Sequence, residues 1–212
     1  MEKIQIELVC VDFQNEFTDP KGRYYVQGTS VEFIKSTLIP YLKVKSILIS
    51  EIISDYRQPR HSKSDSYCIP GEFGYLSNIP NEVKKPNSWI KSMHNPTWIR
   101  SNNHNESKNP HFPHPDPQAF TQWLNDHVGI ATKDLRVVIF GETLDVCVYA
   151  LAQELYHRGY NVYILYEATD PMFERHLYKH DIAYHSGLSV YATIIHFDDL
   201  KHMIDNIERK FL

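Results

Sequence analysis

Apolar positions along the chain change their spacing several times, and each change marks an element. Residues 6–11 form an apolar run broken only by Glu7, as in a strand covered on both faces. The run ends at Asp12. Beyond Ser30, a candidate N-cap, Val31, Ile34, Leu38 and Tyr41 recur at helical spacing. Residues 46–53 predict a second buried strand ending near Asp55, and 135–140, 162–166 and 190–197 predict three more. Helices fall between them. One begins over 117–125 with Pro117 in its first turn. Another carries Val148, Leu151, Ala152 and Leu155 on one face and stops at Gly159, with His157 and Arg158 in its last turn. A third covers 171–185 and a last one starts at Asp198. This alternation implies βαβ units: a three-layer α/β/α fold with a mostly parallel sheet covered on both faces.

The span from residue 58 to 117 breaks the pattern. It is rich in Pro, Asn, Ser and His and weakly periodic, with a short helix expected near 89–93. So long an irregular stretch within a compact unit reads as a functional loop or lid. The whole reads as one domain over 1–212, with this loop inside it. At 42% hydrophobic and 23% charged, the chain can bury a sizeable core, which excludes general disorder. A net charge of -4 and no basic run beyond the pair Lys84 and Lys85 argue against a nucleic-acid partner. No apolar stretch reaches membrane-spanning length, and residues 1–4 lead into the first strand without the apolar region of a signal peptide. Cys10, Cys68 and Cys147 are far apart and make no CxxC pair, which fits a reducing cytoplasm.

Chemistry enters at Cys147. It follows a buried strand and a glycine turn, at the start of a helix. Unpaired N–H groups at a helix N-terminus carry partial positive charge, favour the thiolate and can hold a developing oxyanion. The plain alternative is a buried structural thiol. Asp12 occupies the equivalent place after the first strand. Ligands of such sheets gather at the carboxyl ends of strands, so the two residues point to one site. A carboxylate there can accept the thiol proton and a nearby ammonium can stabilise the anion.

Two segments carry a family resemblance. Val11-Asp12-Phe13-Gln14-Asn15-Glu16-Phe17 resembles the first-strand signature of the isochorismatase-like cysteine hydrolases, and Gly141-Glu142-Thr143-Leu144-Asp145-Val146-Cys147-Val148 resembles their nucleophile turn. Gly159 to Val162, Tyr166 to Asp170 and, more loosely, Cys68 to Gly74 follow the same pattern, so the likeness runs over about residues 5 to 170. It implies a Rossmann-like sheet of about six strands and an Asp-Lys-Cys triad cleaving C–N bonds of small amides through a thioester. Cys147 is then the nucleophile and Asp12 the general base. The backbone N–H groups of Thr143 and Cys147 form the oxyanion hole, and the Glu142–Thr143 peptide is cis. Lys108 lies where the family lysine normally sits and is the choice for the triad, with Lys91 next and Lys84 and Lys85 behind. The plain reading of any one of them is a solvated side chain. The resemblance also implies a homo-oligomer acting on a small molecule.

Several positions depart from the family. Its nicotinamidases bind a divalent metal through an Asp and several His after the second strand. Here Asp55 and His61 remain, but Arg57 and Tyr67 stand where His ligands are expected, and a permanent cation beside Asp55 opposes a metal. The expectation is no cofactor. The loop histidines His94, His104, His111 and His114 match no ligand spacing and read as solvated. Gln14, Phe17, Glu142 and Trp98 are candidate pocket residues, with Trp89 and Tyr67 behind them; Glu142 is either exposed or a carboxylate favouring a cationic substrate. The reading from another class is a silent relative serving as a binding module.

Overall fold

The computed structural model describes residues 4–61, 65–101, 110–172 and 177–208. Six parallel strands form the main sheet: β1 (Gln5–Val11), β2 (Ile49–Ser54), β3 (Trp89–Lys91), β6 (Leu135–Gly141), β7 (Asn161–Leu165) and β8 (Thr193–Ile195), in the order β3-β2-β1-β6-β7-β8. Two short strands, β4 (Trp98–Ile99) and β5 (His114–Pro115), pair antiparallel apart from it.

Side chains alternate across the sheet, as a period of two requires. Leu8 and Cys10 of β1 enter one apolar cluster with Ile34, Leu38, Phe140 and Leu200; Val9 and Val11 enter the other with Phe120, Ile139, Leu151 and Leu155. The first cluster is roofed by α2 (Ser30–Phe33), a π-wound stretch Ile34–Leu38, α3 (Ile39–Val44) and α8 (Phe197–Glu208). The second is roofed by α4 (Pro117–His127), α5 (Tyr149–His157), α6 (Lys179–His185) and α7 (Leu188–Tyr191). A short helix, α1 (Asn15–Thr18), follows the β1 turn. The predicted three-layer architecture is therefore the observed one.

Five local expectations change. Residues 89–93 are not helical: Trp89, Ile90 and Lys91 extend the sheet beside Ile52, Ile53 and Ser54. A three-residue strand is too short to reveal a period, and its pairing with β2 decides its form. Residues 190 and 191 end α7, leaving only Thr193–Ile195 as strand, because Leu188 and Ala192 pack into the core from a helical turn while Val190 faces solvent. The second strand starts at Ile49, after a turn with Ser46 at φ 53°. Ser30 is the first helical residue rather than the cap, and its hydroxyl donates to Glu142 Oε1 at 2.7 Å. The helix expected over 171–185 is described from Lys179 onward.

The connections fix where a site can form. From β1 the chain moves outward to β2 and β3; from β6 it moves the other way, to β7 and β8. The central pair β1 and β6 is thus the switch point, and sheets of this kind bind ligands beyond the carboxyl ends at that place.

Candidate active site

Three neighbouring strands deliver a buried acid, a hydroxyl and an ammonium to one place. Asp12 follows β1 with φ 55°, its N–H bonded to Ile52 O at 2.8 Å. Its carboxylate is fully buried: Oδ1 accepts from Ser54 Oγ at 2.7 Å and Oδ2 from Lys91 Nζ at 2.7 Å. Ser54 ends β2 and Lys91 ends β3, so the parallel sheet itself aligns all three. The Lys91 ammonium also reaches Ser54 Oγ at 2.7 Å, Tyr56 OH at 2.5 Å and Cys147 Sγ at 3.4 Å. Burial alone would push its pKa down, but Asp12 and Cys147 outweigh burial and hold it above the ordinary lysine value. Lys91 is a fixed cation.

Cys147 arrives from the adjacent strand. After β6 the Glu142–Thr143 peptide is cis, and Leu144–Val148 winds as a π-helical turn into α5. Gly141 is required at the start of this turn: its φ is 112°, and a Cβ there would meet Val11 O at 2.1 Å. Thr143 O accepts from the N–H groups of Val146 and Val148, at 3.1 and 3.0 Å. The sulfur lies 3.4 Å from Lys91 Nζ, 3.5 Å from Tyr56 OH and 3.7 Å from His94 Nδ1. Burial pushes the thiol up to about 12, with Lys91 pulling it down and Asp12 pushing it further up. The thiol therefore keeps its proton near neutrality. Loss of hydration at sulfur is the largest influence, ahead of the Lys91 charge.

The other candidate residues divide. Lys108 lies outside the described residues; the lysine touching Asp12 and the sulfur is Lys91, the second choice from sequence. Lys84 pairs with Glu51 and Lys85 with Glu7, away from the sulfur. Gln14 is a buried brace: its Nε2 donates to Ser54 O and Tyr75 O while its Oε1 accepts from Ser54 N. Phe17 packs with Val26, Tyr56, Tyr67 and Cys68 in a small core of its own. Trp98 sits on β4 with its ring against His61. Glu142 is neither exposed nor turned to the sulfur. It is buried between the Ser30 hydroxyl and the N–H of Asp170, and burial holds its carboxyl well above the usual range. A carboxyl enclosed between Ser30 and Asp170 gives no support to a cationic substrate. Sequence reading missed Ser54, Tyr56 and His94. Ser54 and Tyr56 flank Asp55 at a strand's carboxyl end, which was a usable signal; His94 lay in the aperiodic span.

A divalent ion would need Asp55 and His61, and the residues do not fit one. Both oxygens of the buried Asp55 carboxylate are bound by the Arg57 guanidinium, Nε at 2.8 Å and Nη2 at 2.5 Å. The His61 ring packs against Trp98 and Phe112. Arg100, donating to the carbonyls of Arg57, Pro59 and His111, clamps the same loop. Here a guanidinium supplies the charge that balances Asp55. Among the described residues, the one cluster of three metal-ligating side chains is His180, Asp181 and His185, exposed on α6.

Solved structures share this architecture. An isochorismatase family protein from Desulfovibrio vulgaris superposes with TM-score 0.62 at 11% identity, covering 95% of this chain and 99% of its own. The zinc complex of the pyrazinamidase of Pyrococcus horikoshii matches with TM-score 0.59 at 17% identity, over 91% and 99%. N-carbamoylsarcosine amidase from Thermoplasma acidophilum matches with TM-score 0.54 at 15% identity, over 91% and 96%. No family model and no curated protein matches the sequence. The chain has the isochorismatase-like hydrolase fold over nearly its whole length.

Proposed function

We propose that this chain is a cysteine-dependent amidohydrolase that cleaves a C–N bond of a small amide through a thioester. The observation that carries this reading is Lys91 Nζ bridging Asp12 Oδ2 at 2.7 Å and Cys147 Sγ at 3.4 Å at the switch point of the sheet. The names of two similar structures, a pyrazinamidase and an N-carbamoylsarcosine amidase, denote the same class of reaction and support it.

The roles follow from the contacts. Asp12 takes the thiol proton as sulfur attacks the carbonyl, and Lys91 stabilises the thiolate passed through on the way. The oxyanion is held by the N–H groups of Thr143 and Cys147, at the start of the turn leading into α5. As the tetrahedral intermediate collapses, Asp12 returns its proton to the departing nitrogen. Water then releases the acid and restores the thiol. A thiol that rests protonated suits this sequence, since proton transfer accompanies attack rather than preceding it.

The test is a screen of primary amides and N-carbamoyl amines for release of ammonia or amine, run on wild type, Cys147→Ala and Asp12→Asn. Both variants are expected to keep the fold by circular dichroism and to lose turnover. Hydrolysis by Cys147→Ala at the wild-type rate sinks the proposal and leaves the fold as a binding module.

A further inference from the structure

The thiol has two ionisable neighbours besides the Asp12–Lys91 pair, Tyr56 and His94. His94 lies three residues past Lys91, where the chain leaves β3. Its Nδ1 is 3.7 Å from Cys147 Sγ and 3.5 Å from Tyr56 OH, and that hydroxyl is 3.5 Å from the same sulfur. The three atoms make a nearly equilateral triangle. The imidazole stands edge-on to the Tyr56 ring, with centroids 5.8 Å apart. The charged groups around this triangle are Lys91 on the Tyr56 hydroxyl, Asp12 behind Lys91, Arg60 over the Tyr56 ring, and Glu154, which accepts from the neighbouring Asn95.

The groups on the sulfur differ in access to water. Tyr56, Lys91 and Asp12 are buried, whereas His94 is partly exposed. The water that breaks a thioester must come from solvent, and among these groups His94 is the one that solvent reaches. A neutral imidazole with its proton on Nε2 leaves Nδ1 as an acceptor there.

We propose that His94 is the general base of thioester hydrolysis, an inference that rests on the cysteine-hydrolase reading above. Imidazole Nδ1 takes a proton from water as the water oxygen bonds to the thioester carbon. When the C–S bond breaks, its electron pair returns to sulfur and the imidazolium gives that proton to it. One water is consumed, the acid departs, and the thiol and neutral His94 are restored. Asp12 then serves the first half-reaction and His94 the second.

The probe is 4-nitrophenyl acetate, which acetylates a reactive thiol directly. The protein is acetylated, desalted rapidly, and loss of the acetyl group from Cys147 is followed by intact mass and peptide mapping. Compared with wild type, His94→Ala is expected to form the acetyl enzyme normally and to lose it about 100-fold more slowly. The wild-type rate is expected to rise with pH through an inflection that the variant lacks. His94→Asn, of similar size and unable to accept the proton, is expected to match His94→Ala and guards against a merely structural effect. Equal deacetylation in wild type and both variants overturns the role of His94 and leaves the hydrolase reading standing. A loss confined to the acetylation step also overturns it. If no protein forms the acetyl enzyme at Cys147, the hydrolase reading fails and this inference fails with it.

Discussion

Replacing Lys91 by Met tests the centre of the site most directly. The Lys91 side chain is 1% exposed, and it is the cation on a carboxylate that is 0% exposed. Its removal breaks the 2.7 Å contact to Asp12 and withdraws donors from Ser54 and Tyr56. Breaking a buried pair by deleting one partner costs about 3–5 kcal/mol, since the other charge stays buried without compensation. In a chain of 212 residues each kcal/mol moves Tm by about 2–4 °C, so the midpoint should fall by about 6–20 °C. Asp12→Asn should cost a comparable amount. The double variant carries neither charge, so it should be far less destabilised than the two losses added together. Urea unfolding of all four proteins, analysed as a double-mutant cycle, gives the coupling directly. A coupling near zero, or single losses below about 1 kcal/mol, would refute the reasoning, because exposed and screened pairs behave that way. Hydrolysis should disappear in Lys91→Met and persist in Lys108→Ala; the reverse result would move the catalytic ammonium to Lys108.

Other consequences follow from single groups. The Cys147 thiol, raised to about 12 in the folded chain against about 8.5 unfolded, contributes stability that is complete below about pH 8.5 and is lost as pH rises toward 12. Cys147→Ala should accordingly flatten the alkaline fall in stability, and iodoacetamide should modify Cys147 near pH 7 more slowly than a free thiol; fast alkylation with an inflection below pH 7 would contradict this. The Glu142 carboxyl is raised by burial, so its contribution is present below about pH 4.3 and is lost as pH rises through the folded value. Glu142→Gln should therefore gain stability over wild type as pH increases from 4 to 8, read from Tm at each pH; an advantage that shrinks with pH counts against it. Gly141→Ala forces a left-handed conformation, costing about 1–3 kcal/mol, and drives a Cβ into Val11 O. Urea midpoints should drop and turnover should vanish, whereas a wild-type midpoint would mean the turn can shift without cost.

The frame of the site was legible because its signals are local. A strand buried on both faces needs a nearly continuous apolar run, and 6–11 and 135–140 each have one broken by a single charged residue, Glu7 and Arg136; the residue ending such a run lands at a carboxyl end, so Asp12 and the turn before Cys147 could be located directly. Glycine at 141 was readable for a similar reason, because a tight turn between strand and helix needs a positive φ. Lys91 was harder. Its strand has three residues and exists by pairing with β2, so neither period nor length marks it. Glu142 and Gln14 were misassigned because proximity in sequence to the nucleophile turn and to Asp12 says nothing of side-chain direction. Glu142 points back to Ser30, and Gln14 crosses to Ser54.

The sequence by itself determined the layered α/β architecture, the two strand ends that carry acid and thiol, and a guanidinium beside Asp55, since each depends on spacing within one segment or on a fixed charge. The tertiary structure alone decided which lysine meets the sulfur, that Arg57 binds both oxygens of Asp55, that His94 and Tyr56 stand beside Cys147, and that burial raises the thiol. These depend on distances between strands far apart in the chain and on how completely water is removed, and both are properties of packing.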